Sequence, residues 1–194
     1  TATDFGLTST SDKEDQIAWM LGNKKIADPL HSAPIELSYG NDGSVIFFGD
    51  NQGYIHAIDA ETGNELWAFI PKVLLVNQPA IRINEKSSNH IYGMDGKIVK
   101  WTENGKKYIA SGMRRGGEGY YALDVTNRST PTLHWKITPE RDGYSSLGQT
   151  WSTPIKTKIK LGKTEKSVLI FGGGYDLSQD SVTTRTADDK GNGI

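Results

Sequence analysis

The sequence has no cysteine, which excludes disulfide bonds, thiolate metal ligands and a cysteine nucleophile. It has no excess of charge of one sign either, since 22 lysines and arginines stand against 23 aspartates and glutamates. A nucleic acid, which needs a basic surface, is therefore a poor expectation for the partner. The longest apolar runs, 45–48 and 73–76, are far shorter than the roughly 18 residues of a spanning helix, so we expect no membrane-spanning segment.

Glycine, in contrast, is abundant. It accounts for 22 of the 194 residues, well above its usual share of about 7%. Glycine, asparagine and aspartate separate short apolar runs along most of the chain. This spacing predicts an all-β chain of short antiparallel strands joined by hairpins. The predicted strands are 44–48, 54–58, 66–70, 98–101, 107–110, 119–123, 133–137, 155–159 and 167–171.

One short helix is predicted near the start of the chain. Ser11 and Glu14 match a capping box, in which each side chain accepts a hydrogen bond from the other residue's backbone N–H. Apolar residues follow at helical spacing, and Gly22 supplies a stop. We therefore expect residues 1–28 to form a lead-in that contains this helix.

The chain contains an internal repeat with a period of about 65 residues. Asp59 and Asp124 lie 65 positions apart, Trp67 and Trp135 lie 68 apart, and a third copy begins at Val168. Each copy predicts four antiparallel strands, which is the content of one β-propeller blade. Because propellers close with about 4–8 blades, the sequence predicts an incomplete propeller of about three blades. The expected blades are 29–90, 91–150 and 151–194, the last of them incomplete.

The first copy contains the pattern A-x-D-x-x-T-G-x-x-x-W, for which we expect a structural role. Its acid and threonine can hydrogen-bond within a turn, its glycine can take a positive φ, and its tryptophan can dock between neighbouring blades. The structural blade motif is expected at Asp59, Thr62, Gly63, Trp67, Asp124 and Trp135. The pattern resembles the tryptophan-docking motif of quinoprotein propellers. That resemblance leaves an alternative open, a fragment of a dehydrogenase propeller that uses pyrroloquinoline quinone (PQQ).

Few residues indicate chemistry. An acidic loop near the end of the sequence is a candidate calcium site because Ca²⁺ takes oxygen ligands, although its spacing does not match an EF-hand loop. The candidate metal ligands there are Asp176, Asp180 and Asp188. We expect Asp50 in a solvated turn, His56 as a structural group in a strand, and the pair Arg114 and Arg115 on an exposed turn. No catalytic residue is expected.

Two glycine runs lack the flanking residues of phosphate-binding fingerprints. The run at 172–174 is not followed by the lysine and hydroxyl residue of a P-loop, and the run at 116–119 does not match the dinucleotide pattern. Both are predicted to be tight turns or close approaches of the backbone.

Taken in order, several segments resemble the C-terminal propeller domain of the PilY/PilC family, the tip-associated proteins of bacterial type IV pili. The segment G-D-N-Q-G-Y-I-H-A-I-D (49–59) is similar to that family's G-x-N-D-G-x-L-H-A-F-D. The segment G-G-E-G-Y-Y-A-L-D-V-T (116–126) is similar to its G-G-x-G-Y-Y-A-L-D-V-T. Further similar blocks lie at 28–34, 67–71, 92–96, 147–154 and 171–176.

The resemblance implies a non-enzymatic part in pilus assembly, adhesion and twitching motility. It implies other pilus tip or minor pilin proteins as partners, together with a host or surface receptor. It also implies a place at the cell surface or pilus tip, reached by export through the periplasm and outer membrane. Many members carry a calcium loop of the type D-x-D-x-D-G-x-x-D. This sequence has none, and by family order it would follow Ile194. We therefore expect no cofactor in this segment and calcium only in a longer protein.

Overall fold

The computed structural model describes residues 1–22, 26–86, 88–181, 183–184 and 186–192. Over these residues the chain forms three antiparallel sheets, in each of which the strand order follows the chain. The first sheet contains β1 (Ile35–Ser38), β2 (Ser44–Gly49), β3 (Ile55–Asp59) and β4 (Glu65–Phe69). The second contains β5 (Ile98–Glu103), β6 (Lys106–Gly112), β7 (Tyr120–Asp124) and β8 (Thr132–Ile137). The third is a hairpin of β9 (Ile155–Leu161) and β10 (Thr164–Ile170).

The expectation of an all-β chain of antiparallel strands is confirmed. Each strand predicted from the sequence overlaps an observed one, and β1 is the additional strand that the four-strand unit requires after Pro34. The predicted N-terminal helix is α1 (Thr10–Gly22). The capping box expected at Ser11 and Glu14 was wrong: Ser11 lies inside the helix, and Ser9 Oγ instead accepts a hydrogen bond from the N–H of Asp12 at 3.0 Å. A second helix, α2 (Gln78–Ile83), was not predicted. It begins with a proline in its first turn, a position that favours helix initiation, and it follows a 3₁₀ segment at Lys72–Asn77. No helix among the described residues has the length and hydrophobicity to cross a bilayer.

The repeat holds at the level of strand register. Ala57 is paired with Trp67 across β3 and β4, and Ala122 is paired with Trp135 across β7 and β8. In both sheets the register then shifts immediately after the alanine, as it does at a β-bulge. The two tryptophans lie 68 rather than 65 positions apart because the connection between β7 and β8 is longer than the one between β3 and β4. The two copies therefore differ in loop length but not in the alanine–tryptophan pairing of their strands.

One core is shared by the first two sheets. In β2 the buried side chains of Val45 and Phe47 alternate with half-buried ones, as expected for a strand with one face against a core. They belong to a cluster that also includes Ile109 and Leu123 of the second sheet. A smaller cluster of Tyr120, Ile137 and Leu147 packs against Trp135, Tyr144 and Phe171, and so joins the second sheet to the segment after β10. Because the apolar side chains are shared, neither four-stranded sheet buries its face by itself.

Several glycines mark close approaches of two backbone segments, and Gly49 brings the first sheet against the segment leading into the second. A Cβ at Gly49 would lie within 3.0 Å of the carbonyl oxygen of Met94, and a Cβ at Gly96 would lie as close to that of Gly112. A Cβ at Gly116 would collide in the same way with the carbonyl of Gly93. The prediction of close backbone approaches at the glycine runs is confirmed, at Gly116 in the run 116–119 and at Gly174, against Gly148, in the run 172–174.

We expect Gly49→Ala to lower the free energy of unfolding by about 1–3 kcal/mol, because the new methyl group has no space beside the Met94 carbonyl. The matched control is Gly22→Ala at the end of α1, where a Cβ meets nothing within 4 Å. Unfolding in urea measures both. Equal midpoints for Gly49→Ala and the unsubstituted chain would show that the contact between the sheets does not need glycine.

Candidate functional site

The strand order places two kinds of connection at opposite ends of the sheets. Short turns join β1 to β2, β3 to β4, β5 to β6 and β7 to β8 at one end, which we call the hairpin end. The opposite end, the loop end, collects the connections that follow β2, β4, β6, β8 and β10. These are residues 50–54, 70–97, 113–119, 138–154 and 171–176.

The predicted blade motif lies at the hairpin end. Asp59 Oδ1 accepts hydrogen bonds from the backbone N–H groups of Thr62 (2.8 Å) and Glu61 (3.1 Å) and from the Thr62 hydroxyl (2.9 Å). The bonds from Thr62 hold the pKa of the Asp59 carboxyl below its usual range. Gly63 closes the turn at a φ of 72°. In the second sheet, Asp124 Oδ1 accepts hydrogen bonds from the hydroxyl and the backbone N–H of Thr126 in the same manner.

The tryptophan of the motif contacts the next sheet. The indole Nε1 of Trp67 donates a hydrogen bond to the carbonyl oxygen of Arg128 at 2.9 Å, and the ring lies 5.6 Å from that of Phe47. The Arg128 guanidinium forms an ion pair with Asp59, so the turn of the first sheet and the β7–β8 loop hold each other twice. Trp135, the second copy, packs against the smaller cluster. These contacts join consecutive sheets.

The three candidate metal ligands do not converge. Asp176 uses one carboxylate oxygen to accept from the Ser178 N–H (2.8 Å) and the other to accept from the Asp189 N–H (3.1 Å). Asp180 accepts from the Tyr175 hydroxyl at 2.6 Å, and Asp188 is exposed. Within the residues that the structure describes, no three histidine, cysteine, aspartate or glutamate side chains are grouped so that they could hold a metal ion.

At the loop end of the first sheet, an imidazole lies between two carboxylates. His56 Nε2 is 3.0 Å from Asp50 Oδ2, and His56 Nδ1 is 2.6 Å from Glu65 Oε1. Asp50 also accepts hydrogen bonds from three backbone N–H groups, those of Ala27, Gly53 and Tyr54. The expectation of a solvated turn at Asp50 was wrong: its side chain is 0% exposed. The residue is buried because a carboxylate with four donors is stable away from water.

Both ring nitrogens of His56 face oxygen acceptors, so both can donate only when the ring is protonated. Burial disfavours the charged ring, but the hydrogen bonds and charges of Asp50 and Glu65 outweigh it and raise the pKa of His56. From the sequence, His56 could be predicted only as a histidine in a strand, and its two carboxylate partners could not. The carboxylates that flank it come from the preceding loop and from the paired strand.

A serine that precedes the first strand of a sheet fixes the loop end. Ser32 Oγ accepts from the N–H of Gly49 at 2.8 Å, and Ser152 Oγ accepts from the N–H of Gly172 at 3.1 Å. The two serines belong to the repeated segments 31–34 and 151–154. His31 of the first segment is bound to Asp95 through its backbone N–H (3.2 Å) and its ring Nδ1 (2.7 Å).

The loop end of the second sheet carries a surface of a different kind, which we call the arginine–aromatic surface. It is formed by Tyr92, Arg114, Arg115, Trp151 and Tyr175. The guanidinium carbons of Arg114 and Arg115 lie 4.6 Å and 5.4 Å from the centre of the Trp151 ring. Arg115 also lies 5.7 Å from the Tyr92 ring. The Tyr175 ring stands edge-on to Trp151, with 6.1 Å between their centres.

A cavity of about 480 Å³ opens beside this surface. Its walls are Arg115, Trp151, Ser152, Gly172, Gly173, Gly174, Tyr175, Asp180 and Gly191. Trp151 is 38% exposed, which is high for the largest side chain. The prediction that the arginine pair is exposed holds for Arg115, whereas Arg114 is half-buried beside Trp151. The sequence did not indicate the rings, which come from residues far away along the chain.

The fold defines a repeat protein built from two consecutive four-stranded antiparallel sheets, followed by a two-stranded hairpin. No protein-family model matches the chain. A type IV pilus biogenesis factor PilY1 homolog of Xylella fastidiosa is 34% identical over 143 residues, which are 71% of this chain and 11% of that protein. The type IV pilus biogenesis factor PilY1 of Pseudomonas aeruginosa is 26% identical over 142 residues, 71% of this chain and 12% of that protein.

Among solved structures, the crystal structure of the C-terminal domain of Pseudomonas aeruginosa PilY1 is similar, with a TM-score of 0.52 and 26% identity. The similarity covers 72% of this chain and 27% of that one. The chain belongs to the PilY1 family of type IV pilus biogenesis factors, and its structural counterpart is the C-terminal domain. It spans only about a ninth of the length of the curated relatives it matches.

We expect the chain to lose stability as the pH rises above about 6.5, the ordinary pKa of histidine. His56 has a raised pKa in the folded chain, so its charged form stabilises the fold below its unfolded pKa. That contribution is lost as the pH rises through the folded pKa. The urea midpoint measured across this range should fall, and His56→Gln should flatten the fall.

The control for this prediction is His134→Gln. His134 is exposed on β8 and forms no ion pair with a carboxylate in the described part of the chain. Its variant should keep the pH dependence of the unsubstituted chain. Parallel pH profiles for His56→Gln and the unsubstituted chain would contradict the assignment of the titration to His56.

Proposed function

We propose that the chain is part of a β-propeller in a type IV pilus protein and that it supports pilus biogenesis, adhesion and surface-associated motility without catalysing a reaction. The observation that carries the proposal is the similarity to PilY1, joined to a repeat of four-stranded sheets with the same register. The blades would span 29–90, 91–150 and 151–194.

The proposed setting is the bacterial cell surface or pilus tip, reached through the periplasm and outer membrane. The partners would be other tip proteins or minor pilins, and a surface or host receptor. Support for a binding role comes from the loop end, where the second sheet presents exposed arginine and tryptophan side chains next to a cavity. Calcium, if the longer protein binds it, is proposed to act outside the described residues.

Deletion of the parent gene in its own piliated bacterium should reduce sheared surface pilin and twitching. Complementation with the natural gene should restore both. A gene that carries Gly49→Ala should restore them less well, because the sheets lose their close contact, whereas Gly22→Ala should restore them fully. The amount of exported protein is measured in each strain. Normal pili and normal twitching in the deletion strain would refute the proposal.

The alternative that the sequence leaves open, a PQQ dehydrogenase propeller, has its own measurable consequence. A dehydrogenase of this kind must bind PQQ stoichiometrically in the presence of calcium. A titration of the chain with PQQ, monitored by absorbance, measures that binding. A chain without this activity should show no saturable, stoichiometric binding of PQQ in the presence of calcium. Saturation at one PQQ per chain would favour the dehydrogenase.

A further inference from the structure

We propose that the arginine–aromatic surface binds a carboxylate-rich peptide segment of a partner protein. The inference deepens the proposed function. It rests on that function only in taking the partner to be another protein of the pilus or of the surface that the pilus meets. The recognition chemistry itself follows from the two guanidinium groups, from the rings that hold them and from the cavity beside them.

Both guanidinium groups are available to a ligand. No carboxylate of the described residues forms an ion pair with Arg114 or Arg115, whereas Arg128 is paired with Asp59. Glu118, the acid nearest along the chain, is already paired with Lys190. Two adjacent cations, Arg115 exposed and Arg114 half-buried, therefore have no ion-pair partner among the described residues, in a chain whose net charge is only −1.

Stacking restricts how the guanidinium groups can move. Arg114 lies over Trp151, and Arg115 lies over Trp151 and Tyr92, at distances typical of cation–π contact. A stacked guanidinium keeps its N–H donors free at its edge. A planar fork of such donors binds a carboxylate through two parallel hydrogen bonds, which an ammonium group cannot do.

The repeat shows that the turn itself does not need arginines. In the first sheet the equivalent loop, 50–54, is closed by the buried Asp50 through hydrogen bonds to its own backbone. In the second sheet, Arg114 occupies the same connection at a φ of 51°, a conformation in which glycine is favoured. A large cation at a position that suits glycine is a cost to the fold, and binding is a reason to retain it.

The surroundings favour a peptide over a sugar. Arginine, tryptophan and tyrosine are the side chains that contribute most to the centres of protein interfaces. The cavity of about 480 Å³ has a wall of three consecutive glycines, which leaves room for a side chain of a partner. A sugar ring would have to displace a guanidinium group to stack on Trp151, because both already lie over that ring.

The test is fluorescence polarisation with the 194-residue chain and a labelled peptide of alternating aspartate and glutamate. The same peptide with asparagine and glutamine in place of the acids is the matched ligand control. We expect the acidic peptide to bind at least about tenfold more tightly than the amide peptide, and less tightly as salt is added. Arg114→Ala combined with Arg115→Ala should weaken its binding at least about tenfold.

Arg141→Ala is the protein control, since Arg141 is exposed and lies 5.9 Å from the Tyr144 ring but is outside the surface. It should leave binding unchanged. The combined variant Arg114→Lys and Arg115→Lys keeps the charge without the planar fork, and it should bind between the two extremes. Melting curves of all variants should coincide with that of the unsubstituted chain, so that a loss of binding is not a loss of fold.

Equal binding of the acidic and amide peptides would overturn the inference, as would undiminished binding by the double alanine variant. Preferential binding of polygalacturonate, with which the acidic peptide does not compete, would overturn it in favour of an acidic sugar. These outcomes are distinct from a failure of the proposed function. That function fails if the deletion strain keeps its pili, whatever the peptide does.

Discussion

The contact between backbones at glycine is the constraint on which the arrangement of the sheets depends. Gly49 and Gly174 each leave no space for a Cβ because a carbonyl group of the adjoining unit, that of Met94 or of Gly148, occupies it. The shared core cluster of Val45, Phe47, Ile109 and Leu123 can form only when the sheets approach this closely. Hydrophobic burial supplies the free energy of association, and the glycines set the distance at which it is gained. The excess of glycine in the composition thus reflects contacts between units as well as turns within them.

The hairpin end shows how a local motif is turned into a contact between units. The hydrogen bonds of Asp59 and Thr62 form within a few residues and need no other part of the fold. They hold Asp59 where it meets Arg128, whose carbonyl accepts the indole hydrogen of Trp67. Trp67 and Trp135 each pair with an alanine of the preceding strand. The strand register is therefore the same in both sheets, although the loops before the two tryptophans differ in length. A repeat of this kind can tolerate insertions in its loops as long as its pairing is kept.

The features that could be predicted from the sequence are those that depend on residues close together along the chain. The strands, α1 and the turn of the blade motif follow from alternation, capping and turn residues that lie close together along the chain. The burial of Asp50 could not be predicted in this way, because its donors include the N–H of Ala27, more than twenty positions earlier. The surface around Trp151 joins Arg114, Arg115 and Tyr92, which the topology alone brings to one end. The helix α2 was missed because it has only six residues and no side-chain cap that would announce its start.

The two ends of the sheets have diverged to different extents, and this difference indicates where function lies. At the hairpin end the first and second copies each use an aspartate that accepts from the backbone N–H two residues later and from a threonine hydroxyl. At the loop end one copy buries a histidine between two carboxylates, and the other places two arginines over an indole ring. Positions that only maintain the repeat have reason to stay alike, whereas positions that meet a partner need to be specific to one unit. The loop end of the second sheet meets that condition, because Arg114 and Arg115 form no ion pair with any carboxylate of the described residues, whereas Arg128 and Glu118 are paired.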